Sequence, residues 1–109
     1  MSRAKGNLAE IKAVVYLKEK GYTIVEQNFY SRFGEIDIIA TKEDTLHFIE
    51  VKSGVDYETA LQNITRTKLS RIIKTLNVYL KKNALDVSYC IDAILVSEDE
   101  IEMVENITL

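Results

Sequence analysis

GEIDIIATKEDTLHFIEVK, residues 34–52, holds two β-rich runs, 35–40 and 46–52, around a polar turn of Lys42, Glu43, Asp44 and Thr45. The stretch reads as a hairpin with charges inside its strands. Acids are depleted from strand interiors, and like charges placed opposite one another cost stability, so their presence there asks for a cause. A four-residue turn sets Thr41 opposite Leu46, and the same register carries Asp37 opposite Glu50 and Glu35 opposite Lys52. Side chains two apart share a strand face, so Glu35, Asp37, Glu50 and Lys52 are expected to meet on one patch. Opposed Cβ atoms sit roughly 4.5–5.5 Å apart, a spacing at which two carboxylates repel unless a proton, the lysine or a cation lies between them. A divalent cation is the natural occupant, and Glu35 is expected to pair with Lys52.

The chain around the hairpin has 109 residues, 47% of them hydrophobic, which suits one α/β domain over 1–109 and is too short for two. With 28% charged residues and a net charge of -3, it is neither disordered nor a strongly basic nucleic-acid binder. One cysteine, Cys90, and one histidine, His47, exclude an internal disulfide and a cysteine-rich zinc site, and fit a reducing compartment. No apolar run follows the basic N-terminus, and none approaches the ~20 residues of a membrane span. A soluble, cytoplasmic protein with no membrane contact is expected.

Before the hairpin, residues 3–20 read as a helix whose buried stripe is Ala4, Leu8, Ile11, Val14, Val15 and the Lys18 stem, ended by Gly21. A neighbouring line of Gly6, Glu10, Ala13 and Leu17 puts Glu10 at the edge of the buried face. Residues 22–30, YTIVEQNFY, read as a strand, so that with the hairpin a three-stranded meander forms. After the hairpin, Ser53, Gly54, Val55 and Asp56 make a loop beside the patch, the kind of place where substrates are held. One long helix is expected over 57–82, burying Leu61, Leu69, Ile72, Ile73, Leu76, Tyr79 and Leu80. Arg66, Arg71, Lys74, Lys81 and Lys82 line its other side, and Lys68 borders the apolar stripe, pointing toward the sheet end. Such a basic face suits phosphate contacts and a merely solvated surface equally. Residues 87–96 read as a central strand whose only charge is Asp92, and 101–107 as an edge strand. His47 and Cys90 read as packing residues. Tyr30 and Phe33 suit either core packing or base stacking.

Asp37, twelve residues, then Glu50-Val51-Lys52 resembles the PD-(D/E)XK nuclease signature, with Ile36 where that signature has its proline. Together with Gly6, Glu10, GEIDIIA, FIEVKSG, Lys68 and the late strand carrying Asp92, nearly the whole chain resembles the YraN family of small bacterial proteins. These are regarded as endonuclease-like and distantly similar to Holliday-junction resolvases. One departure is Phe33 before Gly34, where many relatives have a second small residue.

The resemblance implies a restriction-endonuclease-like mixed sheet in the order α-β-β-β-α-β-β with helices packed on it. It also implies Glu10, Asp37, Glu50 and Lys52 as the catalytic set, with Lys68 beside them. Oxygen ligands on a rigid sheet suit Mg²⁺ or Mn²⁺, held by Asp37, Glu50, the Val51 carbonyl and Glu10. Ser53, Arg66, Lys68, Arg71 and Lys74 are the expected DNA contacts. The reading is a metal-dependent endonuclease acting on branched or structured DNA; its alternatives are a nucleic-acid-binding module of the same fold without turnover, and a structural domain with surface ion pairs. The intact Asp, Glu and Lys set favours the enzyme. Symmetric cleavage of a junction needs two sites, which leaves room for a homodimer.

Overall fold

The computed structural model describes residues 2–54 and 56–108, with side chains from residue 8 onward except 61. The positions read for Ala4, Gly6, Val55 and Leu61 therefore lie outside the described side chains. Along the chain come α1 (Ser2–Glu19), β1 (Thr23–Ser31), β2 (Gly34–Lys42), β3 (Thr45–Ser53), α2 (Tyr57–Gln62), α3 (Arg66–Lys82), β4 (Ser88–Val96) and β5 (Ile101–Val104). The five strands form one sheet in sequence order, antiparallel except for the parallel pair β3 and β4. A parallel pair needs a crossover, and α2 with α3 supplies it. This is the expected α/β order, with the helix after β3 in two pieces.

The hairpin register is as expected, with Thr41 opposite Leu46. The turn is tighter than four residues: Lys42 and Thr45 also pair, leaving Glu43 and Asp44 at φ 50° and 65° as the two central residues. Positive φ at both positions matches the sense of turn that follows the right-handed twist of paired strands. At the other end of β2, Gly34 takes φ 151°, which a side chain would strain, and so lets the chain turn sharply out of β1.

Helices cover both faces of the sheet, which is why β2, β3 and β4 carry near-continuous apolar runs. On the α1 side Ala9, Ala13, Leu17, Tyr22, Ile38, Ile49 and Ile94 pack together; on the α3 side Phe29, Ile39, Phe48, Ile72, Leu76, Tyr79 and Ile91 do. The buried face of α1 differs from the expected one. Leu8, Ile11 and Val15 are 54%, 61% and 52% exposed, while Ala9, Ala13 and Leu17 are buried. Small side chains let the helix lie close on the sheet, and that close contact outweighs the larger apolar groups one step round the helix.

The continuous helix expected over 57–82 breaks between Gln62 and Arg66. Thr65 adopts an extended conformation there and its hydroxyl accepts a hydrogen bond from the Lys68 N–H at 3.2 Å, capping α3. On α3 Ile73 is exposed, and the buried position is Thr75 instead, whose hydroxyl meets that of Ser31 at 2.8 Å. The last strand stops at Val104, short of 107, because the Ile107 N–H turns to bond the Ile91 carbonyl. Among the described residues no helix is long and apolar enough to cross a membrane.

Candidate active site

The ladder between β2 and β3 runs from Lys42↔Thr45 to Ile38↔Ile49. Beyond that pair a side chain takes over from the backbone: Asp37 Oδ2 accepts the Val51 N–H at 2.8 Å. In an extended strand the N–H and C=O of one residue point to the same side, so the Val51 carbonyl faces the same gap. The alternation of β2 also breaks here. Ile36 packs in the α3 core and Ile38 in the α1 core, although residues two apart share a face in a regular strand. An irregular strand next to a site is a familiar way of re-aiming a side chain.

The structure brings Asp37, Glu50, Val51 and Lys52 together. Glu50 and Lys52 lie two apart on β3, and the Lys52 Nζ is 3.7 Å from Glu50 Oε2, both side chains partly shielded. Burial and the adjacent Glu50 carboxylate push the Asp37 carboxyl up from 3.8 to about 8, against the opposing pull of the Val51 N–H and Lys52. Confining Asp37 beside Glu50 thus favours its protonated form when no cation is present. A hard dication is the alternative partner, and two carboxylates with a backbone carbonyl are the donors it prefers.

Glu35 is not the partner of Lys52. Its Oε2 accepts from Asn28 Nδ2 at 2.8 Å, and the same nitrogen donates to Glu10 Oε1 at 2.9 Å. Glu35 therefore bonds Asn28 and not Lys52, whose own ion-pair partner is Glu50. Asn28 lies between the pairs Gln27↔Ile38 and Phe29↔Ile36, hence opposite Asp37, and its φ of 53° is left-handed. It brings Glu10 of α1 to the sheet beside the acid–lysine cluster. The sequence offered a signal for it, since Asn is enriched at left-handed positions and disfavoured inside strands. Asn28→Ala should destabilise the chain by about 1 kcal/mol more than Asn28→Gly, because only glycine keeps that backbone without strain; equal urea midpoints for the two variants would contradict this.

The expected DNA contacts are more scattered. Arg66, Lys68, Arg71 and Lys74 are all exposed on α3, and Ser53 ends β3 next to Lys52. Lys68 sits in the first turn of α3 and is solvated, not packed along the apolar border. Arg71 and Lys74 approach the turn between β1 and β2: the Arg71 Cβ lies against Gly34, and Lys74 stands 5.6 Å over the Phe33 ring, with Arg32 at 4.8 Å. Phe33 is therefore a half-buried ring clasped by cations, and Tyr30 is 62% exposed.

A second cluster lies elsewhere on the sheet. His47, Cys90 and Asp92, which read as two packing residues and a lone strand acid, place one donor atom each within 4.8 Å of the others. Only the β3–β4 register, His47 beside Cys90, brings them together.

These features define a small α/β protein whose mixed sheet carries an acid–lysine cluster where a hairpin ladder opens. Its sequence places it among known proteins: residues 9–96 match the model of the uncharacterised protein family UPF0102. A UPF0102 protein of Sulfurimonas denitrificans is 65% identical over the full length of both chains, and those of Aliarcobacter butzleri and Wolinella succinogenes are 53% and 51% identical, also over both full lengths. The chain belongs to the UPF0102 family, in agreement with the YraN resemblance.

Proposed function

We infer that the chain is a divalent-metal-dependent endonuclease that hydrolyses phosphodiester bonds in DNA, with branched or otherwise structured DNA as its substrate. The observation that carries the reading is the Asp37–Glu50 pair, held together in a half-buried gap with Lys52 beside it. A fold gains nothing from confining two acids, yet a dication makes the same arrangement favourable. Asp37, Glu50 and the Val51 carbonyl would hold Mg²⁺ or Mn²⁺, with Glu10 close by through Asn28. The ion supplies positive charge where a phosphodiester builds negative charge during hydrolysis. Asp37 would hold the ion as the carboxylate. Lys52, kept in place by Glu50, presents an ammonium to a non-bridging phosphate oxygen or orients the attacking water. The exposed cations of α3 next to the β1–β2 turn suit the flanking phosphates.

Incubating the chain with single-stranded, duplex, flap and four-way-junction DNA, each with Mg²⁺, Mn²⁺ or EDTA, tests the reading. Cleavage in either metal and none in EDTA is the expected outcome, strongest on a branched substrate; binding without any cleavage would favour a nucleic-acid-binding module. For the basic face, replacing Arg71 and Lys74 together by Ala should weaken binding equally for all sequences. The log–log salt slope should fall by ~1.8, as each lost phosphate contact contributes ~0.9. An unchanged slope would mark that face as solvated surface.

A further inference from the structure

We propose that His47, Cys90 and Asp92 form a second metal site, for a transition-metal dication of the zinc class, separate from the oxygen-donor site at Asp37 and Glu50. The parallel register sets His47 directly beside Cys90, and Asp92 follows Cys90 by two residues, so all three project from one face. His47 Nδ1 lies 2.6 Å from Asp92 Oδ2 and 3.0 Å from Cys90 Sγ, and that sulfur is 3.6 Å from each Asp92 oxygen.

The geometry separates this cluster from a nucleophile triad. In a triad the imidazole uses its two nitrogens for two partners, taking the nucleophile's proton with one and being oriented through the other. Here thiol and carboxylate meet the same nitrogen, which carries at most one proton. Three lone-pair donors therefore converge on one point. Burial and then Asp92 push the Cys90 thiol up to about 12.

The donor set chooses the ion. Imidazole nitrogen, thiolate sulfur and one carboxylate suit Zn²⁺ or Co²⁺ and are foreign to Mg²⁺. Tetrahedral bonds of roughly 2.0–2.3 Å imply donor separations of roughly 3.3–3.7 Å. The sulfur–oxygen spacing already has that value, and the two contacts to Nδ1 open by several tenths of an ångström when the shared protons leave.

The supporting contacts are those of a held site. Asp92 is fully buried and its other oxygen accepts the Asn106 N–H at 2.8 Å. The Tyr22 ring stands edge-on to His47, centroids 5.0 Å apart. Both fix first-contact groups from behind, as partners of metal ligands do. Such an ion would tie β3, β4 and the segment after β5 together.

Cobalt titration of EDTA-stripped protein carrying no polyhistidine tag tests this directly. Wild type should develop a near-ultraviolet sulfur-to-cobalt charge-transfer band with visible d–d bands, saturating at one equivalent and bleached by Zn²⁺. Cys90→Ser should lose the charge-transfer band, and Asp37→Asn should keep it. Zn²⁺ should also raise the Tm of wild type and not that of Cys90→Ser. Absence of the band in folded wild type would overturn the proposal and leave the three residues as a hydrogen-bonded core network. A band kept at full strength in Cys90→Ser would also overturn it, because the sulfur would then not be a ligand.

Discussion

Asp37→Asn, Glu50→Gln and Lys52→Ala should each lower metal-dependent DNA cleavage by at least ~10²–10³-fold, the loss typical when one charged group that faces developing charge is removed. The first two remove an anionic oxygen from the gap where the β2–β3 ladder opens. Lys52→Ala leaves both carboxylates and the Asp37 to Val51 N–H bond in place, so cation binding survives while the ammonium beside the phosphate is gone. Binding of DNA should therefore fall far less in Lys52→Ala than cleavage does. Single-turnover cleavage and gel-shift affinity measured on the same substrate separate the two effects. Full activity in any of the three variants, or in EDTA, would contradict the assignment.

The second large effect concerns stability without metal. Asp37 has its carboxyl raised from 3.8 to about 8 in the folded chain by burial and by Glu50. The folded state thus binds a proton that the unfolded chain has released over that window. Stability from this group is full below about pH 4 and is lost as pH rises through about 8. Asp37→Asn replaces it with a neutral side chain at every pH. The metal-free variant should be more stable than wild type by ~1–3 kcal/mol above about pH 8, and the gap should shrink toward zero on acidification to about pH 4. Urea denaturation in EDTA across that range checks both the sign and the window. A variant less stable than wild type at alkaline pH would mean that Asp37 is held by attraction to Lys52 and not by a shared proton.

Much of this was legible in the residues because the signals are local. The hairpin announces itself through β-branched runs around a polar turn, and the observed Thr41↔Leu46 register follows from turn length alone. The acids were conspicuous because strands avoid them. What stayed hidden depends on contacts between distant segments. Both Leu8–Ile11–Val15 and Ala9–Ala13–Leu17 have helical spacing, and only the sheet decides which face is covered. Glu35 meets Asn28, a left-handed residue on the neighbouring strand, and not the lysine that the hairpin register alone suggests. His47 and Cys90 are 43 residues apart, and nothing short of the parallel register of β3 on β4 could have joined them. Two local signals do exist, Asn28 inside a strand and Thr65 as a cap residue inside an otherwise continuous helical pattern.

The central claim is that Asp37 and Glu50 hold a divalent cation. Thermal melts of wild type and Asp37→Asn at neutral pH, in EDTA and in Mn²⁺, test it without any substrate. At a hundredfold excess over its dissociation constant, Mn²⁺ should stabilise wild type by about 2.7 kcal/mol and Asp37→Asn not at all, while in EDTA the variant melts higher. A variant that melts lower than wild type in EDTA, together with no shift of wild type in Mn²⁺, would contradict the metal site and the nuclease reading with it.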